Sequence, residues 1–473
     1  MILLRPRATA LASVCTSLSL LAPSAAAQDT PAPRPAYKFF RHDEDWSKFV
    51  APASGDAFSD PLKHIALGSE DKFWLSFGGH VDARFEAWDG FGFGAPAPGN
   101  SDTFLLSRYF LHADARLGDH VRAFVEGVSA QSTDRDLPGG RRTADMDTLD
   151  LHQGFVDLMT TLGGGEKLRL RTGRQTFNFG NQRLVSVLVW ANTMNRWEGF
   201  TAQYASGPWS VDALLTWYVP VDKTEANERD DDRALFGVYA TRAPASGGIG
   251  LDLYWLGTTR PDVAFNGTTG DEDRHTTGLR SWGPFAERGD WEIETAYQFG
   301  ELGADDIAAW MFTGVLGWKF PEARWKPRLF AGVDLASGDS DSGGKAETFH
   351  QLYPLGHAHL GWADQLGRQN VASLNVGVGL SVSAATTATL TAHTFRLMEK
   401  DDALYGVTGA VSRAGPFASS HVGEELDLLV KHKFDRHLDL YAGYSHVFAG
   451  DAISSSGTDE DIDFAYLGAS FMF

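Results

Sequence analysis

The sequence has 473 residues, of which 43% are hydrophobic and 22% charged, values typical of a folded chain. Its 61 acidic residues outnumber its 41 basic ones and give a formal net charge of −20. This balance argues against nucleic acid as a partner, because nucleic-acid binding requires a basic face. The single cysteine, Cys15, excludes a disulfide framework and a multi-cysteine metal site.

The first 27 residues have the features of a secretory signal peptide. Arg5 and Arg7 form a basic head, residues 11–22 are apolar, and residues 25–27 are three alanines suited to a cleavage site. Cys15 lies within this segment, so we expect no cysteine in the mature chain. Residues 28–72 contain several prolines and charges without sustained alternation. We predict that 28–72 is a periplasmic N-terminal segment, or one folded partly into the mouth of the structure that follows.

From residue 73 to residue 473 apolar and polar residues alternate in segments of about 10 residues separated by turns. Within 73–87, for example, Phe77 and Phe85 fall on one face of a strand, and Asp82 and Arg84 fall on the other. No apolar stretch after the signal reaches the length of a transmembrane helix. A closed β-barrel is the other way to span a bilayer with every backbone group satisfied. A soluble β-sandwich, which also alternates, is the alternative.

The number of candidate strands and the lengths of their connections favour the barrel. Loops after the odd-numbered strands are mostly long, for example 88–103, 175–197, 259–273 and 337–370, whereas turns after the even-numbered strands are short, such as 118–120 and 383–385. We therefore predict an all-β protein, a transmembrane antiparallel β-barrel of about 18 strands over 73–473, with short periplasmic turns and long extracellular loops. The predicted strands are 73–87, 104–117, 121–131, 147–159, 167–174, 198–206, 208–219, 233–243, 248–258, 274–282, 289–299, 309–319, 327–336, 371–382, 386–397, 423–434, 437–447 and 463–473.

Three sequence blocks resemble the alginate-export family of outer-membrane barrels. The first contains GRQTFNFGNQRL at 173–184 and NRWEGF at 195–200, where Trp197 and Glu198 depart from the family pattern. The second combines ASGDSD at 336–341 with TFHQLYP at 348–354, and the third combines GEELDL at 423–428 with GYSHVFAGD at 443–451. The resemblance runs from about Lys72 to Phe473. It implies an 18-stranded barrel that passes an anionic polysaccharide across the outer membrane of a Gram-negative bacterium through an arginine-rich lumen.

Arginines are the candidate residues for that conduit. Arg169 and Arg171 share one strand face, which must be the lumen because a cation facing lipid at mid-depth costs roughly 2–4 kcal/mol. Guanidinium forks bind carboxylates in two-point contacts, so a series of them would guide a uronate chain. The predicted conduit residues are Arg84, Arg108, Arg169, Arg171, Arg174, Arg183 and Arg196; Arg116, Arg122 and Arg328 also have lumenal parity.

The alternative for these arginines is that they pair with lumenal acids and only brace the barrel. The acids available for such pairing are Asp82, Glu86, Asp114, Glu126, Asp212, Glu292, Glu294 and Asp334. Most other acidic charge is expected in the long loops, in runs at 230–232, 271–273 and 459–461, where divalent cations would bridge it to lipopolysaccharide.

Other chemical signals are weak. Asp339 and Asp341 fit a polar turn better than a cation site. His357 and His359 lack carboxylate or cysteine companions nearby, so we interpret them as loop histidines. Ser445 and His446 point to opposite faces of a strand and cannot form a phospholipase pair. We therefore predict no enzymatic activity, no cofactor and no metal.

The leading functional hypothesis is a channel for passive export of an alginate-like polyuronate. Alternatives are a porin for small organic acids or oligosaccharides, and a structural, adhesive or enzymatic barrel. The expected partners are outer-membrane lipid, lipopolysaccharide, the anionic polysaccharide and periplasmic export components, with no nucleic acid.

Overall fold

The computed structural model describes residues 34–49, 58–68, 72–95, 99–265, 267–341 and 343–473. The predicted signal peptide, 1–27, lies outside these ranges. Eighteen antiparallel strands form one closed sheet in the described residues, and the first strand pairs with the last, from His80 opposite Met472 to Asp89 opposite Asp463. The predicted 18-stranded all-β barrel is confirmed.

The barrel strands are β1 Phe73–Asp89, β2 Asp102–Leu117, β3 Val121–Ser132, β4 Asp147–Thr161, β5 Lys167–Gln175, β6 Trp197–Ser206, β7 Trp209–Tyr218, β8 Ala234–Arg242, β9 Gly250–Phe265, β10 Thr268–Phe285, β11 Gly289–Leu302, β12 Asp305–Lys319, β13 Arg328–Ala336, β14 Val371–Ser381, β15 Thr386–Leu397, β16 His421–Lys433, β17 Leu438–Ala449 and β18 Ile462–Met472. Single helical turns lie at Arg41–Asp43, Asp60–Leu62, Phe91–Gly94, Gly356–Ala358 and Asp451–Ser454. Short strands lie at Ile65–Ala66, Lys345–Ala346, Leu404–Tyr405 and Val411–Arg413.

The apolar face of the sheet points outward and the polar face points into the lumen. On β1, Phe77 and Phe85 are 39% and 47% exposed, whereas Asp82 and Arg84 between them are buried. A soluble sandwich would show the reverse, with its apolar face buried. The period-2 pattern of the sequence therefore places the lipid-facing and lumenal residues correctly on β1. No helix in the described part of the chain is long and apolar enough to cross a membrane.

Short turns and long loops occupy opposite rims, as predicted. One rim carries turns such as 118–120, 207–208 and 286–288, and the other carries the long loops together with short connections after β9 and β11. Two of these loops, 176–196 and 337–370, fold into the lumen.

The predicted long loop at 259–273 is wrong, because β9 continues to Phe265 and β10 begins at Thr268, and the two strands pair over most of this range. Arg260 pairs in register with Glu272, and Thr258 with Arg274. Glu272 is buried and forms ion pairs with Arg260 and Arg274 at 2.9 and 3.0 Å. The acidic run at 271–273 therefore lies in a strand. Its sequence resembles a loop because it is highly charged. A strand tolerates the inward-facing Glu272 because Arg260 and Arg274 neutralise its charge inside the barrel. The runs at 230–232 and 459–461 do lie in loops.

Gly173 marks the point where β5 stops alternating. Its φ of +127° is one that side-chain-bearing residues rarely adopt. A Cβ added here would lie 2.2 Å from the carbonyl oxygen of Gly154 on the neighbouring strand. Beyond Gly173 the next two residues, Arg174 and Gln175, are both buried.

We expect Gly173→Ala to lower the free energy of unfolding by about 1–3 kcal/mol through backbone strain, with more from the clash. The measurement is the temperature at which the folded band of the purified barrel disappears in a heat-modifiability gel. Gly379→Ala on β14 is the matched control, since its Cβ would meet no atom within 4 Å. Equal melting of the two variants would contradict this expectation.

Candidate substrate conduit

The described N-terminal residues pack inside the barrel at the short-turn rim. Arg41 donates to the carbonyl oxygens of Gly79 at 2.5 Å and Phe473 at 2.8 Å, and its Nε lies 2.7 Å from Oε1 of Glu44. The ammonium of Lys63 donates to the carbonyl of Phe77 at 2.5 Å. Burial, with the nearby charge of Arg41, lowers the pKa of Lys63 to about 7. This segment therefore occupies part of the barrel mouth.

Two inward-folded loops, 176–196 (loop A) and 337–370 (loop B), are joined to each other across the lumen. The backbone of Tyr353 in loop B forms two hydrogen bonds with loop A. Ser186 N–H donates to Tyr353 O, and Tyr353 N–H donates to Leu184 O, both at 2.8 Å. Arg368 of loop B donates to the carbonyl oxygen of Arg183 in loop A at 2.9 Å. The two loops thus form one hydrogen-bonded unit inside the barrel.

Three aromatic side chains from these loops meet near the middle of the lumen, and we call Trp190, His357 and Trp362 the septum. The rings of Trp190 and His357 are stacked, with centroids 3.8 Å apart and an interplanar angle of 12°. Trp362 is nearly perpendicular to His357 at 4.0 Å. The guanidinium of Arg84 on β1 lies 3.7 Å from the centroid of Trp190, a cation–π contact.

The septum lies between two cavities. The outer cavity, of about 1180 Å³, is lined by the long loops and by Trp190. The inner cavity, of about 780 Å³, is lined by Trp362 and by residues near the short-turn rim, such as Lys319 and Arg328. Among the described residues, His357 alone lines both cavities. The boundary between the two cavities is therefore aromatic.

Two of the predicted conduit arginines hold loop A in place. Arg84 binds the carboxylate of Glu86 at 2.7 Å and donates to the carbonyl oxygen of Trp190 at 2.8 Å. Arg108 binds Asp82, its cross-strand partner, at 2.6 Å, and donates to the carbonyl oxygens of residues 189 and 191 at 2.9 Å. Both side chains are buried and point into the lumen, as their parity predicts.

Four further predicted arginines are also ion-paired. Arg171 binds Asp157 directly across the β4–β5 ladder at 2.7 and 2.9 Å. The other three arginines lie at the loop-side end of the strands or on loop A. Arg174 binds Glu198 and Asp150 at 2.7 and 3.1 Å, Arg196 binds Asp147 and Asp150, and Arg183 binds Glu292 and Glu294.

Arg169 differs from these six arginines. Within the described part of the chain no carboxylate oxygen lies within 4 Å of its guanidinium, and its side chain is half-buried on the lumenal face of β5. The bracing alternative thus describes the contacts of the paired arginines, whereas Arg169 makes no such ion pair. A cation without a carboxylate partner is the kind that can bind a passing anion.

The outer cavity is locally positive although the chain is strongly acidic. Six arginines and three carboxylates line it, and one of the arginines, Arg233, has no carboxylate partner in the described residues and lies 4.7 Å from the ring centroid of Tyr218. The six are Arg84, Arg135, Arg142, Arg233, Arg260 and Arg413, and the three are Glu86, Asp145 and Asp364. Of these arginines only Arg84 was predicted from the sequence, because strand parity says nothing about residues brought in by loops.

Two loop histidines have definite environments. Burial, aided by the charge of Arg260, holds the pKa of the His350 imidazole well below its usual value, so His350 is neutral at physiological pH. The prediction that His357 lacks a carboxylate companion is wrong, since Nδ1 of His357 lies 3.2 Å from Oδ2 of Asp364. The two residues are seven positions apart in an irregular loop, where spacing does not predict contact.

Comparisons with known proteins agree with this architecture. A family model described as alginate export matches residues 73–465. No curated protein sequence matches the chain significantly. Solved structures with the same fold include OprD from Pseudomonas aeruginosa, an outer membrane protein, with 11% identity, a TM-score of 0.55, and coverage of 84% of this chain and 93% of that one.

Two other structures are similar over the same share of this chain, 84%. Pseudomonas aeruginosa OccK2, crystallised in complex with glucuronate, has 11% identity and a TM-score of 0.57, with 98% of its chain covered. Acinetobacter baumannii OccAB2 has 6% identity and a TM-score of 0.56, also with 98% covered. At these identities the likeness concerns the fold alone.

Proposed function

Because the chain belongs to the alginate export family and is a channel of the outer membrane, we propose that it passively exports an alginate-like polyuronate. The observation that carries this proposal is the outer cavity, where six arginines face three carboxylates in a chain of net charge −20. A lumen that concentrates positive charge attracts polyanions and repels cations.

The contacts of the arginines fit a conduit of weak, repeated binding. Arg169 and Arg233 have no carboxylate partner in the described residues and can bind a uronate carboxylate with both arms of the guanidinium. The predicted conduit arginines that are already ion-paired would bind less tightly, which favours release of a moving polymer. The fold also accommodates uronates in a distant neighbour, since OccK2 has been crystallised with glucuronate.

The septum requires that the conduit open before a polymer passes. Loops A and B are tied together and to the wall, and a cavity lies on each side of the septum, so we infer that this form of the channel is closed to a polymer. Export would therefore begin with movement of septum side chains.

Planar-bilayer recording of the purified full barrel tests the proposal. We expect anion selectivity in a KCl gradient, and a concentration-dependent block of the current by oligouronate that exceeds the block by maltooligosaccharide of equal length. Equal block by the neutral and the acidic sugar, or cation selectivity, would contradict the proposal. Absence of any conductance would favour a structural, adhesive or enzymatic barrel.

A porin for small organic acids or oligosaccharides is the second candidate. It is favoured by the septum, which leaves two separate cavities of about 1180 and 780 Å³ rather than one wide tube. Liposome swelling distinguishes the two. A porin would admit glucuronate and exclude its longer oligomers, whereas an exporter would admit both.

We further propose that lipopolysaccharide, lipid and periplasmic export components are partners. The acidic runs at 230–232 and 459–461 lie in the long loops, where calcium would bridge them to lipopolysaccharide phosphates. Chelation of calcium is then expected to lower the melting temperature of the barrel in lipopolysaccharide-containing vesicles. An unchanged melting temperature, or an equal decrease after both runs are neutralised, would contradict the bridge.

A further inference from the structure

Trp190 is held firmly at the boundary between the two cavities. Its carbonyl oxygen accepts a hydrogen bond from Arg84, and the carbonyls of Val189 and Ala191 on either side accept from Arg108. Both arginines belong to barrel strands and are themselves ion-paired. The indole is therefore a fixed, flat surface between the two cavities.

His357 is held less firmly than Trp190. It lies on the single helical turn Gly356–Ala358, and its ring packs on the indole of Trp190 at 3.8 Å. Its side chain is buried, yet Nε2 has no hydrogen-bond partner in the described part of the chain. A buried nitrogen without a partner is unfavourable and gains a partner when the ring moves or a ligand arrives. Of the two stacked rings, the imidazole is the one that can leave.

A pyranose ring can occupy the position of the His357 ring against the indole of Trp190. One face of a pyranose presents C–H groups that pack on an aromatic ring at about the separation seen between His357 and Trp190. The guanidinium of Arg84 lies 3.7 Å from the centroid of the same indole, on the face opposite His357, so its positive charge reaches an acidic ring on the His357 face only through space and not by direct contact. The edge of the sugar carries hydroxyl groups, which suit the unpartnered nitrogen of His357.

We propose that the septum is a saccharide subsite, in which Trp190 is the stacking platform for a uronate ring and His357 covers that platform in the closed channel. A sugar that enters from either cavity displaces the imidazole and takes its place on the indole. The subsite thus makes the channel specific for sugar acids over other polyanions. This inference rests on the proposed function. The proposed function concerns the charge of the substrate, and the subsite adds recognition of its sugar ring.

The test compares two polyanions of equal length as blockers of the full barrel in planar bilayers, oligouronate and oligoglutamate. Both carry one carboxylate per unit, but only the first has pyranose rings. We expect Trp190→Leu to weaken the oligouronate block about fivefold while leaving the oligoglutamate block unchanged. Trp190→Phe should restore most of the oligouronate block. His357→Ala should strengthen it, because the platform is then open.

Trp255→Leu is the matched control. Trp255 is also stacked with a histidine, His275, but lies on the outer face of the barrel at 41% exposure. Its substitution should leave the block by both polymers unchanged. Folding of every variant is checked by heat-modifiable mobility, and His357→Ala, which should strengthen the oligouronate block, keeps the test decisive if Trp190→Leu does not fold.

Different results identify what has failed. If Trp190→Leu weakens the block by both polymers equally, or His357→Ala weakens the oligouronate block, the saccharide subsite is wrong while the anion channel stands. The same holds if Trp190→Leu changes neither block. If neither polymer blocks the wild-type channel, the proposed function itself is wrong.

Discussion

Arg368→Met is expected to lower the free energy of unfolding of the barrel by about 3–5 kcal/mol and to release loop B. Arg368 is fully buried and donates to both carboxylate oxygens of Asp334 on β13, at 2.9 and 2.7 Å, and to the carbonyl oxygen of Arg183 at 2.9 Å. Its removal leaves a buried carboxylate without its partner and cuts one link between loops A and B. Thermal unfolding in detergent measures the first effect and single-channel conductance, which should rise, measures the second.

Two variants serve as controls for Arg368. The double variant Arg368→Met with Asp334→Leu removes both charges and should recover much of the lost stability, since the main cost is the unpaired carboxylate. Arg229→Met removes an exposed ion pair with Asp231 at 2.5 Å and should change stability by only about 0–1 kcal/mol. A single Arg368 variant as stable as Arg229→Met would show that loop B is not held by this contact.

Replacing Arg169 and Arg233 together with glutamine is expected to give the largest change in selectivity. Neither guanidinium has a carboxylate within ion-pairing distance in the described residues, so their charges act on the lumen more strongly than those of the paired arginines. The ratio of anion to cation permeability, measured from reversal potentials in a KCl gradient, should fall about threefold or more. Folding should be unaffected, because neither substitution leaves a buried charge unpaired.

The matched control is Arg324→Gln in the turn between β12 and β13. Arg324 is exposed and lies 4.6 Å from the ring centroid of Trp325 at the short-turn rim. Its loss should leave the permeability ratio near the wild-type value. If the control variant changes the ratio as much as the double variant does, these two lumenal arginines do not determine selectivity.

The strands were predictable because the pattern that defines them is local. Alternation along 73–87 gives both the strand and its lumenal face, since successive side chains point to opposite sides of a sheet. The same reasoning failed at 259–273, where Glu272 and Arg274 face inward and neutralise each other. Charged residues in a strand resemble a loop when their partners cannot be seen in the sequence.

The contacts of the arginines were less predictable than their direction. Parity places Arg171 in the lumen, but its pairing with Asp157 depends on the register between β4 and β5, which alternation alone does not give. The septum was not predicted at all. Trp190 and His357 come from loops 167 residues apart, and only the inward folding of both loops brings them together.

Export of a polyuronate through the lumen is tested most directly by flux from proteoliposomes. Vesicles containing the full barrel would be loaded with a fluorescent oligouronate and with a maltooligosaccharide of the same length, and release of each would be followed over time. We expect faster release of the oligouronate, reduced in the Arg169→Gln, Arg233→Gln double variant. Release of both sugars at the same rate, or retention of the oligouronate at the level of empty vesicles, would contradict it.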